Sequence, residues 1–151
     1  MRPKFLKCVI LALPNSPGCG IMHATPPVGR NIKEQDMTIA DVVKILDGKL
    51  MAGDGTSPRA VGAVVANDLM SDVLLNDADD ILLITSLASD QAIRTAHIVG
   101  AMGVVVHNAK PLSETMLKVA NDLAIPLVSS PLSKYDACVR LHDAFLAEER
   151  G

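Results

Sequence analysis

Residues 67–110, NDLMSDVLLNDADDILLITSLASDQAIRTAHIVGAMGVVVHNAK, decide the fold. They read as a polar turn, a buried strand at ILLIT (81–85), a capped helix and a second buried strand at GVVVH (103–107). That order is a βαβ crossover. Neither strand alternates apolar with polar residues, which is the pattern of parallel strands covered on both faces. The polar residues of the stretch are gathered rather than scattered. Asn67, Asp68, Ser71, Asp72, Thr85, Ser86, Arg94 and His107 lie at or near the ends of apolar strands. Open α/β sheets place their ligands there, so these eight are the candidate ligand-binding residues.

Regular punctuation continues on both sides. Thr38 and Asp41 form a capping box that opens a helix over 39–46, with Gly48 just past its end. A brief strand follows over 49–52, then a Gly/Asp/Ser/Pro turn over 53–59 and a buried strand over 61–66. Asp68 is placed to cap a short helical turn running to Leu75. After the strand at 81–85, Ser89 or Asp90 caps a helix extending to about Met102, with Ile93, Ala96 and Val99 or Gly100 facing inward. Ser113 opens another helix to about Leu123, burying Met116, Leu117, Ala120 and Leu123. A short strand at 126–129 precedes a final helix over 132–147. That helix carries Leu132, Tyr135, Cys138 or Val139, Leu141 or His142, and Phe145 at helical spacing. The expected fold is a single compact α/β domain, three-layer-like, with a mainly parallel sheet flanked by helices.

The 151 residues suffice for one real core and not for two. The hydrophobic share is 49% but the aromatic share only 2%, so that core must be aliphatic. Phe5, Tyr135 and Phe145 are the only aromatics, which argues against a platform for stacking nucleic-acid bases. The net charge of −3 argues against a polyanionic partner. Cys8, Cys19 and Cys138 are widely spaced with no CxxC pair, and read as incidental thiols in a reducing cytoplasm.

Charge divides the chain near Met37. Residues 1–36 hold five of the fourteen basic residues and two of the seventeen acidic ones, with several prolines and glycines. This leader has three readings: upstream sequence before a true start at Met37, a disordered extension, or a secretion signal. The first fits best, because prolines interrupt any cleavage site and the apolar run after the basic start is short. That run cannot span a bilayer, which takes about 20 apolar residues. The second unit is the acidic domain, residues 37–151.

The familiar catalytic motifs are missing. The sequence has no P-loop, no GxGxxG, no GxSxG elbow and no HExxH. Gly53-Asp54-Gly55 lies in a turn between strands. His23, His97, His107 and His142 share no metal-ligand spacing. His97 and His142 fall on helices, where a partly buried structural histidine is the ordinary explanation. Asp77, Asp79 and Asp80 read as a solvated loop, without an EF-hand pattern around them. The pairs Asn67-Asp68 and Ser71-Asp72 can either bind a ligand or cap the turn they precede. Arg94, on the first turn of its helix, can add a bidentate donor for phosphate or carboxylate. It can equally pair with Asp90 on an exposed face. The sequence thus indicates a site more clearly than a reaction, and neither metal nor cofactor is called for.

Six segments together resemble the DRTGG domain over about 37–146. They are NDLMSDVL, ILLIT, QAIRTAHI, GVVV, the stretch KPLSE…ANDLAIPL, and SKYDACVRL. The resemblance implies an α/β module similar to the N-terminal domain of HPr kinase/phosphorylase. Such modules also occur in some long phosphotransacetylases and between the CBS domains of regulated pyrophosphatases. Small stand-alone versions are encoded near iron-only hydrogenase components. The signature pentapeptide itself is absent, and its counterpart is the turn Asp54-Gly55-Thr56-Ser57-Pro58.

What the resemblance implies is a non-catalytic regulatory or interaction module, a homodimer working with a redox-enzyme or signalling partner in the cytoplasm, without nucleic acid or membrane. The alternative is a sensor of a nucleotide or phosphorylated metabolite at the strand ends. HPr kinase activity does not carry over, since the P-loop of its catalytic domain is missing here.

Overall fold

The computed structural model describes residues 37–150, and the leader at 1–36 with its cysteines and His23 lies outside them. Ten elements follow in order: α1 (Ile39–Ile45), β1 (Lys49–Ala52), β2 (Ala63–Ala66), α2 (Met70–Leu74), β3 (Ile81–Thr85), α3 (Asp90–Ile98), β4 (Gly103–Val106), α4 (Glu114–Asp122), β5 (Leu127–Ser129) and α5 (Lys134–Arg150). Five strands form one sheet in the order β1-β5-β4-β3-β2, and only β1 runs antiparallel to its neighbour. The expected α/β architecture is present.

Strand order explains the layers. From β2 to β5 the chain advances one position at a time in the same direction. Right-handed crossovers then put every connecting helix on one side of the sheet. Accordingly Met70 and Val73 of α2, Ile93 and Ala96 of α3, and Met116 and Ala120 of α4 pack with Ile81, Leu83, Val104, Val106 and Leu127. The opposite face carries Leu82, Ile84, Val64, Val105 and Val128 against Ile39 and Val42 of α1 and Ala137 and Leu141 of α5. Side chains alternate between two buried faces, so the first four residues of β3, Ile81 to Ile84, are all fully buried.

Helix ends follow local chemistry, with some departures from expectation. The Asp41 carboxylate accepts the Thr38 N–H at 3.1 Å and its hydroxyl at 2.7 Å, as the capping box requires. Ser113 Oγ accepts from the Met116 N–H at 3.2 Å and starts α4. α3 ends at Ile98, short of the expected Met102, because Gly100 adopts φ +66° and the Ala101 N–H returns to the Ala96 carbonyl at 2.8 Å. Leu117 and Leu123 are half-buried rather than buried. Tyr135, placed by helical spacing in the core, is 75% exposed; the buried stripe of α5 runs through Ala137 and Leu141 instead. His97 and His142 are also exposed, not structural core histidines. Among the described residues, no helix is long and apolar enough to cross a membrane.

The 53–62 connection crosses the end of the sheet where the parallel strands begin, since Ala52 pairs with Leu127 at the start of β5. Within it the Asp54 carboxylate accepts the Thr56 N–H at 2.9 Å and its hydroxyl at 2.6 Å, a self-contained Asx turn. The turn from Asp54 to Pro58 is therefore at the opposite sheet end from the candidate site residues.

Gly53 anchors this connection. At φ +77° its N–H donates to Asn121 Oδ1 at 2.9 Å, and a Cβ there would stand 2.1 Å from the Ile125 carbonyl oxygen. Gly100 shares the left-handed conformation, at φ +66°, but has open space around it. Gly53→Ala is therefore expected to cost more than about 3 kcal/mol. Gly100→Ala should cost only about 1 kcal/mol. Urea denaturation of both variants measures the difference, and equal losses would contradict the close approach at Gly53.

Candidate functional site

The carboxyl ends of the parallel strands meet at Asp68. Strand β2 ends at Ala66, and the next two residues turn the chain towards α2. Asn67 Oδ1 accepts the Leu69 N–H at 2.9 Å and closes that turn. Asp68 is thereby freed from the capping role expected of it. The N-cap of α2 is Leu69, and the Asp68 carboxylate instead reaches across to β3 and α5. It accepts the Thr85 hydroxyl at 3.0 Å and the Ser86 N–H at 2.6 Å, and forms an ion pair with the Lys134 ammonium. One side chain thus joins three segments that are distant in sequence.

These contacts set its charge. Partial burial alone would raise the Asp68 pKa. Lys134, the Ser86 N–H and the Thr85 hydroxyl together outweigh that and hold the carboxyl well below the usual carboxylate range. A carboxyl of depressed pKa contributes stability above its ordinary value of 3.8, and this contribution is lost as pH falls through the lowered value.

Two lysines complete the charge pattern. Lys134 is the first residue of α5, and Lys110 Nζ donates to the Ser86 carbonyl at 3.1 Å. Helix starts disfavour cations because of the positive dipole end, so Lys134 stands where a lysine is not expected on local grounds alone. Asp68 accounts for it. Ser133 stabilises the same helix start: its hydroxyl accepts from the Asp136 N–H at 3.1 Å and donates to the Asp136 carboxylate at 2.6 Å.

His107 lies one residue beyond β4 and is 5% exposed. Its backbone N–H donates to the Thr85 carbonyl at 3.3 Å. Its ring is less well served: among the described residues, the buried side-chain polar atoms without a hydrogen-bond partner are both nitrogens of His107 and Ser89 Oγ. An imidazole always has one donor or more, so an unpartnered buried ring carries a penalty of about 1–3 kcal/mol. Burial is the largest influence lowering its pKa, and Lys134 adds to it. Asp68 opposes them, Lys110 reinforces them, and Asn108 has a smaller favourable effect on the proton without satisfying hydrogen-bond geometry. The ring is neutral in a locally cationic setting. Its strand is followed by two consecutive left-handed residues, Asn108 at φ +61° and Ala109 at +46°. Their N–H groups are bonded to the Leu132 and Ser130 carbonyls, each at 2.8 Å, which fixes this loop against the start of α5.

The structure brings Asp68, Thr85, Ser86 and His107 together, with Asn67 shaping the turn beside them. Ser71 is exposed on α2, and Asp72 is joined to Asn67 Nδ2 at a long 3.5 Å. Arg94 falls on the second turn of α3, not its first, and its Nε donates to Asp90 at 3.1 Å on the exposed face. It takes the surface-pair role. Sequence reasoning missed Lys110 and Lys134. The one available signal was a lysine at the start of the SKYD segment, unfavourable for the helix it opens. Among the described residues, no group of three His, Cys, Asp or Glu side chains is arranged to hold a metal ion.

No protein-family model matches the sequence, and no curated protein does. The fold is similar to a crystal structure of the CBS and DRTGG domains of the regulatory region of Clostridium perfringens pyrophosphatase, complexed with the activator diadenosine tetraphosphate. The TM-score is 0.59 at 11% identity, covering 70% of this chain and 46% of that one. The likeness is one of fold, and this chain spans less than half the length of that regulatory region.

A histidine with a depressed pKa binds its proton more tightly in the unfolded chain. Stability should therefore decline as pH falls below the ordinary value of 6.5, and level off only below the lowered native value. Thermal unfolding between pH 7.5 and 5 is expected to show this decline in the wild type. His107→Gln should flatten it. An unchanged pH dependence in the variant would show that His107 is not the responsible group.

Proposed function

We propose that the chain is a non-catalytic regulatory module that senses a phosphorylated small molecule, such as a nucleotide, at the carboxyl end of its sheet. The observation that carries the reading is His107, a buried imidazole with both nitrogens unpartnered, within electrostatic reach of Lys110 and Lys134. A buried polar group without a partner is an incomplete arrangement that a bound ligand can complete. Two lysines against one carboxylate favour an anion. The site lies at the carboxyl ends of the parallel strands, where polar groups come free of the sheet's ladder. The fold likeness to a regulatory region in complex with a nucleotide activator supports the same reading.

A non-catalytic role suits the chemistry of Asp68. Three donors engage its carboxylate, and its lowered pKa makes it a poor proton acceptor. It holds loops together. ATP, ADP and acetyl phosphate titrated by calorimetry test the proposal, with binding expected for at least one. Lys134→Ala and Lys110→Ala should each weaken that binding about tenfold or more. Failure of the wild type to bind any of them at millimolar concentration, or equal binding by both variants, would remove the site reading.

A second reading, association with a protein partner or a second copy, is favoured by exposed apolar side chains. Leu75 is 79% exposed and Ile98 72%, with Leu69 at 58%. Dimerisation and a redox-enzyme partner rest otherwise on the DRTGG resemblance. Sedimentation at micromolar concentration is expected to give twice the 15.9 kDa chain mass. A clean monomer would count against self-association.

A further inference from the structure

We propose that anion binding at this site is an exchange: the ligand takes Lys134 from Asp68, and His107 becomes an imidazolium that donates to the ligand. The inference rests on the site reading above and adds its regulation. Among the described residues Lys134 has one partner of opposite charge, the Asp68 carboxylate. Asp68 has two further donors, the Thr85 hydroxyl and the Ser86 N–H, which can hold it in place without Lys134. The ion pair is thus the separable contact of the three. Lys134 holds Oδ2 while Thr85 and Ser86 hold Oδ1, and a phosphate offers Lys134 several charged oxygens in place of that one.

Releasing Lys134 changes the field on His107. The groups that face the imidazole are Lys134 from α5, Asp68 from the turn after β2, Lys110 from the loop after β4, and the adjacent Asn108. Once the anion neutralises Lys134 and Asp68 stands without its cation, the balance around His107 becomes negative. The ring then takes a proton from solvent and has two N–H donors, where before it had one donor and one acceptor without partners. The orphaned ring of the free state is a donor held in reserve. Its 5% exposure means that a ligand reaches it only after a covering group moves. The Lys134–Asp68 pair joins α5 to the β2–α2 turn, so its opening also loosens the start of α5, which relays occupancy to the opposite face of the sheet.

The experiment is calorimetric titration with inorganic tripolyphosphate near pH 7, repeated in buffers of different ionisation enthalpy. The wild type should take up about one proton more than His107→Gln, the difference removing the ligand's own titration. Its affinity should fall by up to about tenfold per pH unit as pH rises. Asp68→Asn, which keeps an acceptor for Thr85 and Ser86 but frees Lys134, should bind about tenfold tighter with little extra proton uptake.

Equal proton uptake in wild type and His107→Gln would overturn the exchange while leaving the site standing. So would Asp68→Asn binding no tighter than wild type. If nucleotides bind but tripolyphosphate does not, the exchange falls and the site again remains. If no phosphorylated compound binds at all, both fall together.

Discussion

Four parallel strands buried on both faces impose the constraint from which the rest of this structure follows. Such a sheet must be covered on each side, and its side chains have no polar role along their length. The backbone groups are satisfied by neighbouring strands through the ladder from β2 to β5. Only at the strand ends do polar groups come free of the ladder. Polar side chains are accordingly absent from the interior of β3 and concentrated at its exit, in Thr85 and Ser86. The aliphatic composition is the counterpart of that arrangement, because thin β-branched layers pack closely against alanine-bearing helices.

The same constraint determines where a site can form. Because β2 to β5 advance in one direction, the parallel strands lack the reversal of order that opens a crevice in doubly wound sheets. The change of side occurs instead after β5, when the chain passes to the other face as α5. That passage carries Lys134 across the sheet end to Asp68, spanning 66 residues of sequence. Asp68 is therefore less a surface charge than a fastener between the two helical layers. Its exposure keeps the energy of the ion pair modest, while its three donors define the geometry of the loops.

Electrostatics and hydrogen bonding diverge at His107. The loops around it are tied by backbone bonds at 2.8 Å, and the left-handed Asn108 and Ala109 are held by them. Yet the imidazole those loops enclose is left without a partner. A buried unsatisfied group is what binding sites share with strained sites: the cost is carried by the surrounding structure and recovered when a partner arrives.

Much of the fold was legible in the sequence. Unbroken apolar runs such as Ile81-Leu82-Leu83-Ile84, and caps such as Thr38 with Asp41 and Ser113, are governed by contacts within a few residues, so local pattern suffices to place them. The polar residues at the strand ends were visible for the same reason. Spacing misled where tertiary contact decides. Tyr135 fits a helical stripe but is exposed, because the face of α5 that packs is set by α1 and the sheet. Asp68 has the sequence of a cap but serves Thr85, Ser86 and Lys134. Sequence by itself determined the elements, their order and the clustering of polar groups at strand exits. The tertiary structure alone decided which of those groups converge, because a carboxylate and a lysine 66 residues apart become partners only when the sheet has been wound and both its faces covered.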